Sequence, residues 1–239
     1  MMLYTNRDQF IVSAPGCMYT DPSSLESIMA GHDAGAGGCT LPMDMTLDGI
    51  AVLCAEHGFH GADGSFHAVQ EADFIELRRL FPKIVTVGQA VELAKSCAAK
   101  ICVDLKTMAV CPQVKIALSH ADYLDNAYVG GLDPAEAAKA VRRNPALHIM
   151  GDLPSEPSDP VTLVRAAQET GLFGLRGKPE FMTPALCQEA LRCGLFLAST
   201  ETTDGEELMR MFEQGVNFIE TARPDLARAL LPQALDEAE

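Results

Sequence analysis

Short apolar or β-branched runs alternate along this chain with longer segments in which apolar residues recur at three- and four-residue spacing. The first run, 10–13, precedes a helical stretch over 22–32, where Asp21 or Ser23 would cap and Pro22 suits the first turn. Runs at 38–41 and 50–54 follow, separated by Asp48-Gly49. That dipeptide predicts a hairpin, because glycine accepts positive φ without strain. Helical spacing returns over 71–80 and 88–99, ahead of a strand-like 101–105. Helices near 108–123, 134–144, 159–170, 183–193, 204–214 and 224–234 then alternate with runs starting near 127, 147, 172, 195 and 216. Gly171, Gly194 and Gly215 stand where helices should close, and Pro160, Pro184 and Pro224 where they should open.

Strand starts near 10, 38, 101, 127, 147, 172, 195 and 216, each followed by helix, predict a parallel sheet, since parallel neighbours need a crossover. Eight such units fit an α/β chain folded as a (β/α)8 TIM barrel. The expected organisation is one barrel domain over 1–239, with a small hairpin-and-loop insertion at about 45–70, after the second strand. An open doubly wound sheet is the alternative, but no G-x-G-x-x-G follows the first strand. The run Gly35-Ala36-Gly37-Gly38 closes a helix and precedes a strand, so it is not expected to cradle a phosphate.

The composition is that of an ordinary globular chain, 48% hydrophobic and 21% charged, which argues against disorder. No apolar run reaches about 18 residues, so no membrane span is expected. The opening MMLYTNRDQF lacks the apolar core of an export signal, which predicts a cytoplasmic protein. With 18 Lys and Arg against 33 Asp and Glu, the net charge is −15. No basic stripe exists to neutralise phosphates, so nucleic acid is excluded as a partner. The eight cysteines form no C-x-x-C pair and lie mostly in apolar runs, which predicts reduced, buried thiols.

The stretch Gly35-Ala36-Gly37-Gly38-Cys39-Thr40-Leu41-Pro42-Met43-Asp44-Met45-Thr46-Leu47-Asp48-Gly49 resembles G-A-d-g-i-E-l-D-v-q-l-T-k-D-G of the glycerophosphodiester phosphodiesterases. Val103-Asp104-Leu105-Lys106 is similar to that family's I-E-I-K strand, and residues 215–224 to its closing G-V-D-g-I-i-T-D-r-P. Phe74 to Leu80 resembles the helix after its insertion. The resemblance spans nearly the whole chain and implies the barrel fold already reached. It also implies lipid metabolism and cleavage of a glycerophosphodiester by two histidines and a divalent cation held by three carboxylates.

Most of those groups are replaced. The first histidine falls on Ala14, with Pro15 in place of the following arginine. The two carboxylates of E-x-D fall on Thr40 and Pro42, and the second histidine on Ala55. Pro22 matches the proline of P-E-N-T, followed by Ser23 and Ser24. Asp104 and Lys106 stay in register. A hard cation such as Ca2+ or Mg2+ wants several oxygen ligands, so no cofactor is expected unless the site has been rebuilt. The resemblance therefore implies an inactive or binding-only barrel, a pseudoenzyme toward an anionic phosphate-type small molecule. The alternative is an active phosphoric diester hydrolase or lyase with new metal and acid–base residues. Asp44 and Asp104 would then be the metal ligands and His57 the acid–base group, unless Asp44 merely faces solvent on the hairpin. Cys54, His57, His60 and His67 share one loop and could bind zinc, although ordinary loop histidines suffice. Lys106, Arg176 and Lys178 end barrel strands and could hold the anion; separate salt links to Glu201, Glu220 or Asp152 are the competing account.

Overall fold

The computed structural model describes residues 5–155 and 159–237, with side chains described as far as 231. The first four residues of the segment read as lacking an export signal therefore lie outside the described residues. Strand β1 (Phe10–Ser13) is followed by helix α1 (Leu25–Asp33) and β2 (Gly38–Met45). An insertion follows: β3 (Ala51–Leu53), the hairpin of β4 (Gly58–His60) and β5 (Phe66–Ala68), and α2 (Phe74–Leu80). Helix α3 (Val87–Ser96) returns the chain to β6 (Lys100–Leu105) and α4 (Cys111–His120). Regular alternation resumes with β7 (Ala127–Gly130), α5 (Pro134–Arg143), β8 (Met150–Asp152), α6 (Pro160–Thr170), β9 (Gly174–Gly177) and α7 (Pro184–Arg192). It ends with β10 (Phe196–Ser199), α8 (Gly205–Glu213), β11 (Phe218–Thr221) and α9 (Pro224–Glu237).

Eight strands pair in parallel in the order β7, β6, β2, β1, β11, β10, β9, β8, and a bridge between Val129 and Ile149 nearly closes the ring. This is the predicted (β/α)8 barrel, with the helices outside. β3 folds antiparallel onto the end of β2 across Asp48-Gly49, where Gly49 has φ 82°. Among the described residues no helix is long and apolar enough to cross a membrane. All eight cysteines are free, six of them buried.

Two kinds of boundary differ from the sequence pattern for identifiable reasons. Pro22 lies outside α1: Asp21 instead accepts from the Ser23 amide in a turn, and Ser24 caps the helix by accepting from the Ser27 amide. Several strands also begin later than their apolar runs. Leu172, Leu195 and Val216 each donate their amide to a carbonyl in the last turn of the preceding helix, at Ala167, Ala190 and Met211. In each case the residue after a left-handed glycine closes the helix and packs on it before the strand starts.

The chain leaves the insertion through a capping box in which Thr86 and Gln89 serve each other's backbone amides at the start of α3. Thr86→Ala is expected to cost about 1 kcal/mol. Thermal unfolding should show a fall of about 2–4 °C in Tm.

Candidate functional site

Alternation along the strands sorts the barrel interior into layers. Phe10, Val12, Cys102, Tyr128, Met150, Phe173, Phe196, Ala198 and Phe218 form an apolar plug. Its rings are packed, with Tyr128 4.4 Å from Phe218 and Phe173 4.3 Å from Phe196. Two residues further along the same strands, the inward positions become polar: Asp104 after Cys102, Asp152 after Met150, Arg176 after Gly174 and Glu220 after Phe218. This layer stands at the C-terminal end of the strands, where (β/α)8 barrels place their sites.

The centre of the layer is Arg176. Its Nη1 donates to Asp104 Oδ1 at 2.6 Å and lies 3.8 Å from Asp152 Oδ2. Lys106 Nζ donates to the other oxygen of Asp104 at 3.2 Å. Burial pushes the Asp104 carboxyl up, but the two cations outweigh it and hold Asp104 below the usual range. Burial likewise works against the charge on Arg176, and the surrounding acids reverse the balance, so the guanidinium stays charged. Asp152 accepts from the Gly131 amide, yet burial raises its carboxyl despite Arg176. Glu220 is fully enclosed, and burial drives it up to about 7. Arg176 and the Thr40 hydroxyl pull it down, while Asp104 pushes it up.

The insertion builds a second cluster beside the first. The pairing of Pro42 with Asp104 continues to the bond from the Lys106 amide to the Met43 carbonyl, which brings Lys106 level with the end of β2. Asp44, the last inward residue there, is buried rather than solvent-facing, because the insertion folds over it. Its carboxylate accepts from the Met45 amide at 2.8 Å and from Gln70 Nε2 at 3.0 Å. Its other oxygen lies 3.2 Å from His57 Nδ1. His57 itself is exposed and has a left-handed backbone, φ 63°. The Val69 amide donates to its carbonyl at 2.9 Å and fixes that turn.

The predicted residues thus divide. Arg176, Lys106 and Asp104 come together, and Asp44 meets His57. Lys178 is two-thirds exposed and lies 3.8 Å from Glu180, away from the layer. His60 pairs with Glu56 at 3.8 Å, and His67 with the Ser65 hydroxyl at 2.9 Å. Cys54 is buried and donates to the Gly58 carbonyl, its thiol raised by burial to about 11. Ala14, Thr40 and Pro42 line the buried inner wall, while Pro15 and Ala55 are half-buried; the Ala55 amide donates to Ser23 Oγ at 3.1 Å. Among the described residues no three His, Cys, Asp or Glu side chains are grouped as ligands for one ion. With Asp104 held by two cations and Asp44 by three donors, this donor set does not fit a hard divalent cation. Sequence reasoning brings in Glu220 and Asp152 only as possible salt links, although a period of two from Phe218 and Met150 points both inward.

No family model matches the chain, and no curated protein matches it. Solved structures do. A glycerophosphodiester phosphodiesterase from Parabacteroides distasonis has a TM-score of 0.79 at 16% identity, over 95% of this chain and 98% of that one. One from Thermotoga maritima has a TM-score of 0.77 at 16% identity, over 93% and 98%. A phosphodiesterase from Oleispira antarctica, in complex with the product sn-glycerol-3-phosphate, has a TM-score of 0.74 at 14% identity, over 95% and 96%. At these identities the likeness establishes the fold.

Proposed function

We propose that this chain is a divergent member of the glycerophosphodiester phosphodiesterase family, a pseudoenzyme whose barrel mouth binds a small anionic phosphate-type ligand. The observation that carries this reading is the engagement of Asp104 by Arg176 and Lys106. The carboxylate that the family spends on a cation is held here by two cationic side chains, which an anion at the mouth would share with Asp104. Ala14 and Ala55 supply neither proton donor nor acceptor, a loss of about 10²–10⁴-fold per missing group. The eight free thiols support a reducing compartment, the cytoplasm, and the charge of −15 disfavours nucleic acid as a partner. Ligands of lipid metabolism such as sn-glycerol 3-phosphate have the required charge and size.

The structure of the Asp44–His57 pair favours a second reading: a metal-free hydrolase or lyase in which Asp44 orients His57 for proton transfer. Strain at a left-handed non-glycine residue is a recurring property of working sites. One assay separates the two. The binding reading expects sn-glycerol 3-phosphate at about 100 times its Kd to raise Tm by about 5–10 °C, and no choline release from glycerophosphocholine with Ca2+ or Mg2+. Metal-dependent release would overturn it. Release that persists in EDTA and disappears in His57→Ala would establish the second reading instead.

A further inference from the structure

Three carboxylates from three different strands face one guanidinium at the barrel mouth. Asp104 on β6 is bonded to Arg176 at 2.6 Å, Asp152 on β8 lies 3.8 Å away, and Glu220 on β11 interacts with the same charge. Arg176 is 7% exposed, so this is an interior arrangement and not a surface salt link.

Two further observations show that the position is built around the arginine. On β7, a Cβ at Gly130 would stand 2.9 Å from Arg176 Nη1 and 3.0 Å from its Cδ, so any larger residue would crowd the guanidinium. The next residue, Gly131, has φ 81°, and a Cβ there would stand 2.6 Å from the Leu105 carbonyl and 2.8 Å from Asp104 Oδ1. Gly130 thus makes room for the guanidinium, while Gly131 answers first to its own backbone and to that of Leu105. In addition, Arg176 Nε is buried with no hydrogen-bond partner. The head group is held by charge and packing, without its full set of donors satisfied.

We propose that Arg176 is the resident cation of this barrel: it stands among Asp104, Asp152 and Glu220 in the electrostatic place of a divalent ion and excludes such an ion from the mouth. A divalent cation would have to displace a positive group that cannot lose its proton, from beside a carboxylate whose other oxygen Lys106 already occupies. Exclusion of metal stands on this geometry alone; recognition of an anion without metal rests on the function proposed above.

Removing the arginine should uncover what it neutralises. Thermal melts of wild type in EDTA, 5 mM CaCl2 and 5 mM MgCl2, at matched ionic strength, should agree to within about 1 °C, since a ligand stabilises only where the native state binds it. Arg176→Met and the polar Arg176→Gln should melt lower in EDTA and recover by about 3 °C or more with Ca2+ or Mg2+, as three uncompensated carboxylates draw together on the ion. A wild-type Tm that rises with either ion overturns the proposal, and so does a folded variant that ignores both. Calorimetric titration of wild type with CaCl2 decides the matter even if neither variant folds: heat of binding at micromolar Kd overturns it, and no heat supports it. Titration with sn-glycerol 3-phosphate in EDTA separates the two readings. Absence of binding with metal still excluded removes the ligand and leaves the resident cation, whereas binding that requires Ca2+ removes the resident cation.

Discussion

Glu220→Gln is expected to stabilise the protein at pH 8 by about 3 kcal/mol and to remove a decline in stability that wild type shows between pH 4.5 and 7. The buried carboxyl titrates at about 7 against an ordinary value of 4.5. Below pH 4.5 the group is protonated in both folded and unfolded chains and contributes no pH dependence. Between pH 4.5 and 7 the folded chain keeps the proton that the unfolded chain has released, so stability falls as pH rises. Above pH 7 the loss is complete. Each pH step of one between those two values is worth about 1.36 kcal/mol, so the whole span amounts to about 3 kcal/mol. Glutamine keeps the shape and cannot ionise, so it holds the low-pH level throughout. Asp152, also raised by burial, adds a decline of the same sign, whereas Asp104, held low, loses its contribution only at the acid end. Urea melts of both proteins from pH 4 to 8.5 should therefore agree in their pH dependence below pH 4.5, diverge between pH 4.5 and 7, and stay apart by a constant margin above it. Parallel curves, or a variant weaker than wild type at pH 8, would show that Glu220 ionises in the folded state well below pH 7 and that Arg176 is paired with it.

Why some of this is legible in the sequence and some not follows from range. The eight strand–helix units declare themselves through local periodicity, and Gly171, Gly194 and Gly215 close their helices as glycines in that position should. The starts of β9 and β11 are harder to place, because Leu172 and Val216 are apolar on account of the helix they close. A run of apolar residues does not say which neighbour it serves. The polar layer is encoded at the same short range. Phe218-Ile219-Glu220-Thr221 puts an acid on the inward face of a buried strand, and only a partner or a retained proton can make that tolerable. Which partner is a different matter: Arg176 and Asp104 are 72 residues apart, and the barrel alone sets them side by side. Asp44 is the sharper case. Its burial depends on His57 and Gln70, which reach it only because the β4–β5 hairpin folds back over the end of β2. No spacing within residues 44–70 reveals that.

Asp104→Asn should cost about 3 kcal/mol of stability and yet tighten the binding of a phosphate-type anion by about 10- to 100-fold. Both effects arise from one carboxylate. Asp104 accepts from Arg176 at 2.6 Å and from Lys106 at 3.2 Å, so its loss leaves two cations short of their nearest counter-charge. Breaking a buried pair from one side costs about 3–5 kcal/mol. Here the lower figure applies, because Asp152 and Glu220 remain near Arg176 and can take up part of the field. For an incoming anion the same carboxylate is both a competitor for the two cations and a like charge. Two unit charges at about 4 Å interact by about 4 kcal/mol at an effective dielectric of 20. Discounting about a third to two-thirds of that for solvent and rearrangement leaves the 10- to 100-fold gain. Asparagine preserves the outline of the side chain, so the pocket is not reshaped. Calorimetric titration of wild type and variant with sn-glycerol 3-phosphate in EDTA reads the affinity, and urea melts read the stability. Weaker binding by the variant would mean that Asp104 positions the ligand and does not compete with it. The variant also tests the coupling across the layer: Asp104 is one of the charges that raise Glu220, so its removal should move the decline in stability toward lower pH. If affinity rises while that decline stays where it is, then Asp104 competes with the anion without being felt at Glu220.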